Sequence, residues 1–172
     1  SDIIQTSDSG FFFTASYGLM GLATLVGKTD VLGNTIWVKT NILHSSSATQ
    51  FRNRVKTITK TNNGGLIVSG TINESSGNNP PEDYSYIFKY SSIGDSLWAK
   101  TYDDLSFSSL KIDANQNFII ASQVGINPAS SSSKILKIDP LGDTLWTKNI
   151  SGDVLNAVGL TLEGDYLFGG SK

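Results

Sequence analysis

A single phrase, worded three times, constrains this chain more than anything else in it. It runs Lys28-Thr29-Asp30-Val31-Leu32-Gly33-Asn34-Thr35-Ile36-Trp37-Val38-Lys39, then Lys89-Tyr90-Ser91-Ser92-Ile93-Gly94-Asp95-Ser96-Leu97-Trp98-Ala99-Lys100, then Lys137-Ile138-Asp139-Pro140-Leu141-Gly142-Asp143-Thr144-Leu145-Trp146-Thr147-Lys148. All three tryptophans, Trp37, Trp98 and Trp146, occupy the same place in it. A second motif alternates with the first: a polar turn, an apolar triplet and two small residues, as in Thr61-Asn62-Asn63-Gly64-Gly65-Leu66-Ile67-Val68-Ser69-Gly70. Its other copies open their triplets at Phe11, Phe118 and Tyr166. The two motifs together define a unit of about 50 residues, a period that marks a repeated supersecondary element.

Each unit reads as four short strands, a to d. Strand a alternates apolar residues, as in Val55, Thr57 and Thr59 or Leu110 and Ile112. The turn into strand b ends on Gly10, Gly65, Asn117 or Asp165, where a tight hairpin is expected to need positive φ. Strand b is the apolar triplet with its small pair, and the small pair predicts a close approach of neighbouring backbones. Strand c ends at Lys28, Lys89 or Lys137. In the c to d turn, Asp139-Pro140-Leu141-Gly142 suits type I geometry, with Gly142, like Gly33 and Gly94 at the same place, free to take φ > 0. Strand d puts the tryptophan and the lysine two positions on at one face, and Ile36, Leu97 and Leu145 at the other.

A triplet that is apolar on both faces of a strand must be covered on both sides. Four-stranded antiparallel sheets sandwiched between copies of themselves are the blades of a β-propeller, so the expected class is all-β, a propeller of which about three and a half blades are present. Blade 1 covers 1–41. Blade 2 covers 42–103, with a long b to c loop at 72–83, and blade 3 covers 104–152, with a b to c loop at 125–133. Residues 153–172 make the first half of a fourth. No polar capping repeat is evident, which predicts a fragment of a larger propeller, or a half that closes its ring with a second copy.

Composition narrows the partners. Only 16% of the residues are charged, and Ser, Thr, Asn and Gly fill the gap, a balance typical of extracellular β proteins. The net charge of −2 supplies no basic surplus to neutralise phosphates, so neither nucleic acid nor membrane insertion is expected. The chain has no cysteine, which excludes disulfides, thiol nucleophiles and thiolate metal sites.

The pairing of these hairpins with Lys-x-Asp-x-x-Gly-Asp-Thr-Leu-Trp-x-Lys phrases resembles the tandem β-propeller repeats of secreted and surface proteins of Bacteroidota, many of them substrates of type IX secretion. The departures are Asn117 and Asp165 at the hairpin glycine and Ser91 at the turn Asp. More distantly, the phrase is similar to the tryptophan-docking repeats of quinoprotein-like propellers. That likeness implies that Trp37, Trp98 and Trp146 wedge between adjacent blades, where each would bury about 150 to 250 Å².

Residues with chemistry are few. His44 is the only histidine and sits in a serine-rich stretch, so a histidine-based triad or multi-histidine metal site is excluded. The acid pairs Asp103 and Asp104, and Glu82 and Asp83, read as loop residues instead of an acid/base pair, because neighbours on a strand point to opposite faces. Lys28, Lys89 and Lys137, with Lys39, Lys100 and Lys148, suit either a ring that greets an anion or, more simply, guarded strand edges. Asn73 and Asn149 open N-glycosylation patterns, while Ser96 and Thr144 fit the short O-glycosylation pattern of Bacteroidota.

The expectation is a non-enzymatic scaffold or binding module, secreted or at the cell surface, with no cofactor and no metal. Its partner would be another protein chain or a surface glycan, or a secretion or motility assembly. The alternative is part of a propeller enzyme, quinoprotein-type or polysaccharide-active, whose catalytic residues lie elsewhere.

Overall fold

A computed structural model describes residues 1–17, 23–42, 50–75, 82–124 and 132–172. Among them there is no helix, and all fourteen strands pair antiparallel. The first sheet holds β1 (Asp2–Gln5), β2 (Phe11–Tyr17), β3 (Ala23–Thr29) and β4 (Thr35–Asn41). The second holds β5 (Gln50–Lys60), β6 (Leu66–Ser75), β7 (Glu82–Tyr90) and β8 (Ser96–Asp103). The third holds β9 (Leu105–Ile112), β10 (Phe118–Val124), β11 (Ser132–Ile138) and β12 (Thr144–Ser151), and the fourth only β13 (Val154–Leu160) and β14 (Tyr166–Ser171). Within every sheet the strands lie in chain order, so each connection is a hairpin to the neighbour.

The second sheet is longer than expected. Ile72–Ser75 and Glu82–Asp83, placed by composition in the loop 72–83, are strand, with Ile72 opposite Tyr84 and Glu74 opposite Glu82. Burial explains the difference: Ile72 is fully enclosed and Tyr84 packs on the same cluster, which holds register through a polar stretch. Likewise Ser132 and Ser133, expected in the loop 125–133, begin β11. His44 and residues 76–81 and 125–131 lie outside the described residues.

One turn design closes the described hairpins. It occurs at 6–10, 61–65, 113–117 and 161–165 between strands a and b, and at 30–34, 91–95 and 139–143 between c and d. The N–H of the first residue donates to the fifth carbonyl at 2.8–3.0 Å, and that of the fourth to the first carbonyl at 2.9–3.2 Å. The side chain of the first residue then accepts from the backbone: Asp139 Oδ1 from Leu141 and Asp143, Ser91 Oγ from Asp95, Thr161 Oγ1 from Asp165. Positive φ falls on the fourth residue, one place earlier than expected in the a to b turns: Ser9, Gly64, Gln116 and Gly164. Asn117 and Asp165 occupy the fifth place, where φ is ordinary, and this is why the repeat tolerates them.

The sheets stack face to face in chain order. Phe12 and Val26 of the first pack on Ile58, Leu66, Val68, Ile72, Tyr86, Phe88 and Tyr90 of the second. Ile67 and Ile87, on the opposite face of the second sheet, pack on Phe107, Leu110, Phe118, Ile120 and Leu136 of the third. Ile119, Ala121 and Ile135 then pack on Leu155 and Val158 of the fourth. The triplet Leu66-Ile67-Val68 thus supplies both cores, as an apolar run on a strand covered on two sides must.

Candidate functional site

At two successive interfaces a tryptophan of one sheet is set on the c to d turn of the next, and at a third the tryptophan meets no such turn among the described residues. At the first, Trp37 of β4 lies against Phe12 and Tyr90, with ring centroids 5.9 and 6.3 Å away. The ring rests on the turn of the next sheet: a Cβ placed on Gly94 would stand 2.7 Å from it, so only glycine fits. At the second, Trp98 of β8 meets Phe118 edge on at 5.9 Å, and its Nε1 donates to the carbonyl of Pro140 at 3.1 Å. Lys89 Nζ donates to that same carbonyl at 2.7 Å, and Lys100 pairs with Asp143 across the joint at 2.6 Å. Burial lowers the Lys89 pKa, Asp139 opposing, and it pushes the Tyr102 hydroxyl beside Gly142 up to about 12.

At the third interface the inner edge is closed and the outer edge is open. Ser133 Oγ donates to the Asp153 carbonyl and accepts from the Leu155 N–H, both at 2.9 Å, which repeats what Ser85 does for Leu105 and Phe107 one sheet earlier. Thr24 holds the same place in the first sheet and joins Tyr86 and Asn53 in a closed ring of hydrogen bonds. Lys137 donates to the Tyr166 hydroxyl at 2.8 Å and pairs with Asp113 at 3.1 Å. Outside this clamp Trp146 faces the Tyr166 ring at 6.5 Å and is 39% exposed. With Lys148, Ile150, Phe168 and Ile135 it lines a groove of about 550 Å³.

The remaining expectations sort by place. Gly94 and Gly142 are buried under the neighbouring sheet's side chains, whereas Gly33 has open space beside it. Lys28, Lys89 and Lys137 are each tied to a turn, Lys28 through Asp8 at 2.5 Å. That contact, with Thr6, holds the Asp8 carboxyl down at about 2. Burial pushes the Asp113 carboxyl up, but Asn117, Lys137 and Tyr166 outweigh it, so it titrates below its ordinary value. Asp103 and Asp104 are exposed at the turn between β8 and β9, and Ser96 and Thr144 are exposed at the first positions of β8 and β12. Asn149 is exposed and Asn73 half-buried. The inner hydroxyls Thr24, Ser85 and Ser133 escaped the sequence reading. Their signal was a hydroxyl four places before the lysine that ends strand c in every unit.

No protein-family model matches the chain, and no curated protein matches it either.

Proposed function

We propose that the four sheets are successive blades of a β-propeller and that the chain serves as a non-enzymatic binding scaffold of a secreted or cell-surface protein. The observation that carries this reading is the repeated joint. Trp37 on Gly94 and Trp98 on the Pro140 to Gly142 turn build two interfaces from the same residue places, each linking a sheet only to the next. Joints built from the same residue places favour a like step from sheet to sheet, and a constant step about one axis is how blades are arranged. The half-made joint at Trp146 is the seat for another turn of the same kind, from further blades or a second copy.

The shifted carboxylates and lysines support a scaffold over a catalyst. Asp8 with Lys28, Asp30 with Asn34, and Asp113 with Lys137 and Tyr166 hold turns and interfaces and do not converge on an opening. Resemblance and the uncharged polar composition favour a protein or glycan ligand outside the cell. Electron microscopy of the native protein tests the architecture: a closed ring of blades is expected, and a linear stack of sheets would overturn it. Glycan and protein arrays test the role, which predicts saturable binding; turnover of a bound ligand would overturn it.

A further inference from the structure

Three cations crowd the inner strand of the second sheet. Arg52, Arg54 and Lys56 are exposed on β5, with Arg52 and Arg54 spaced by two and therefore on one face. With Thr71 and Asn73 of β6 and Ser106 of β9, they line a pocket of about 230 Å³ between two neighbouring sheets. Among the described residues no carboxylate lines it, and none of the three cations has an ion-pair partner. Lys56 is the extra residue of a β-bulge, between the pairs Val55 with Gly70 and Thr57 with Ser69. A bulge re-aims side chains locally and is common beside binding sites.

The repeat itself shows that these charges are not structural. The corresponding places in β9 and its preceding turn are Asp104, Ser106 and Ser108, and in the fourth unit they are Gly152, Val154 and Asn156. The same bulge occurs in both, at Ser108 and Asn156, so the backbone forms without any cation. A strand that needs none of these charges carries three, in a chain whose net charge is −2.

We infer that this pocket binds a phosphate or sulfate group. Two guanidinium forks and an ammonium, with the hydroxyls of Thr71 and Ser106, form a donor set suited to a tetrahedral oxyanion. A phosphate monoester carries about 1.5 to 2 negative charges at neutral pH. A carboxylate has one charge and two oxygens, so it would leave part of the cationic set unmatched. The pocket is far larger than the about 10–15 Å³ that one water-sized group needs, yet smaller than the about 300–1,000 Å³ of sites for drug-sized molecules. It therefore holds the charged group while the rest of the ligand extends outside. On the propeller reading, strands β5 and β9 border the central channel, but the inference stands on the pocket alone.

Calorimetric titration of the whole chain with inorganic phosphate, sulfate and acetate, at matched ionic strength and pH 7, tests this. The comparison variant is Arg54→Ser with Lys56→Ser, which copies Ser106 and Ser108 and so preserves the fold; circular dichroism checks it, with Arg52→Gln in reserve. Phosphate or sulfate is expected to bind the unaltered chain, with Kd rising about tenfold or more in either variant, as losing a charge-assisted contact implies. Acetate is expected to bind at least about tenfold more weakly than the tetrahedral anions. Equal affinity in the chain and its folded variants, equal affinity for acetate, or no binding at millimolar anion would each overturn the assignment.

Discussion

The interface around Trp98 and the one around Trp146 begin from the same residues and end differently. Both have an apolar core between sheets, both have a serine bridging the inner strands, and both place a lysine against a neighbouring polar group. Only at Trp98 does the next sheet bring a turn beneath the ring, with a carbonyl for its N–H and a carboxylate for Lys100. The contrast separates what the inner strands supply from what the outer hairpin supplies. At Trp98 the outer hairpin of the next sheet covers the ring; at Trp146, among the described residues, the two-stranded fourth sheet brings no such hairpin.

The largest test of that division is a pair of truncations. Trp98→Ala is expected to cost about 3–5 kcal/mol, because it opens a cavity and removes the indole hydrogen bond to the Pro140 carbonyl, which keeps Lys89 as its donor. Trp146→Ala should cost about 1–2 kcal/mol, since the ring is already partly in water. Urea denaturation of both variants reads the difference, and equal costs would mean that the groove at Trp146 is closed in solution.

The turn glycines sharpen the same comparison. Alanine at Gly33 meets only the left-handed backbone penalty, about 1–2 kcal/mol. Alanine at Gly94 adds a methyl 2.7 Å from the Trp37 ring, for a total expected at about 2–4 kcal/mol. Thermal melts of the two variants should differ accordingly, and parity would place Trp37 away from that turn.

The inner serines are expected to behave alike at both ends. Ser85→Ala and Ser133→Ala each leave a buried backbone N–H and carbonyl without their bridge, at about 1–3 kcal/mol. A much smaller cost for Ser133 would show that the inner edge of the last interface is also loose.

The smallest effect is in acid. Asp8 and Asp113 titrate below the ordinary carboxylate value of 3.8, so their contribution is complete above it and is lost as the pH falls below it, for Asp8 through about 2. Asp113 belongs to the clamp on Tyr166, whereas Lys89 at the closed joint grips a carbonyl that does not titrate. Hydrogen exchange between pH 4 and 2.5 should therefore loosen β13 and β14 before β5 to β8, and Asp113→Asn should remove most of that pH dependence.

How far the sequence announced this depends on what repeats. Trp37, Trp98 and Trp146 and the turn glycines after Asp30, Ser91 and Asp139 were legible because identical backbone geometry demands identical residues. The paired faces of Leu66-Ile67-Val68 were legible because covering both sides of a strand leaves no polar position. The inner hydroxyls were harder, since a serine or threonine reads as filler until its partner strand is known. The left-handed Ser9 and Gln116 were not visible, because neither residue advertises positive φ. The cationic pocket was invisible for the opposite reason: it breaks the repeat, and Ser106 joins it only when β9 lies beside β5.

The shared turn has an evolutionary reading. Since the a to b and c to d connections have one backbone geometry, selected mainly by the first and fourth residues, the heritable unit can be a single hairpin as well as a whole sheet. Duplication or recombination at any turn splices one five-residue closure onto another without reshaping either flank. Chains of this kind can lengthen by hairpins, and the second place of the c to d turn drifts through Val31, Ser92 and Pro140 while the third keeps an exposed aliphatic in Leu32, Ile93 and Leu141.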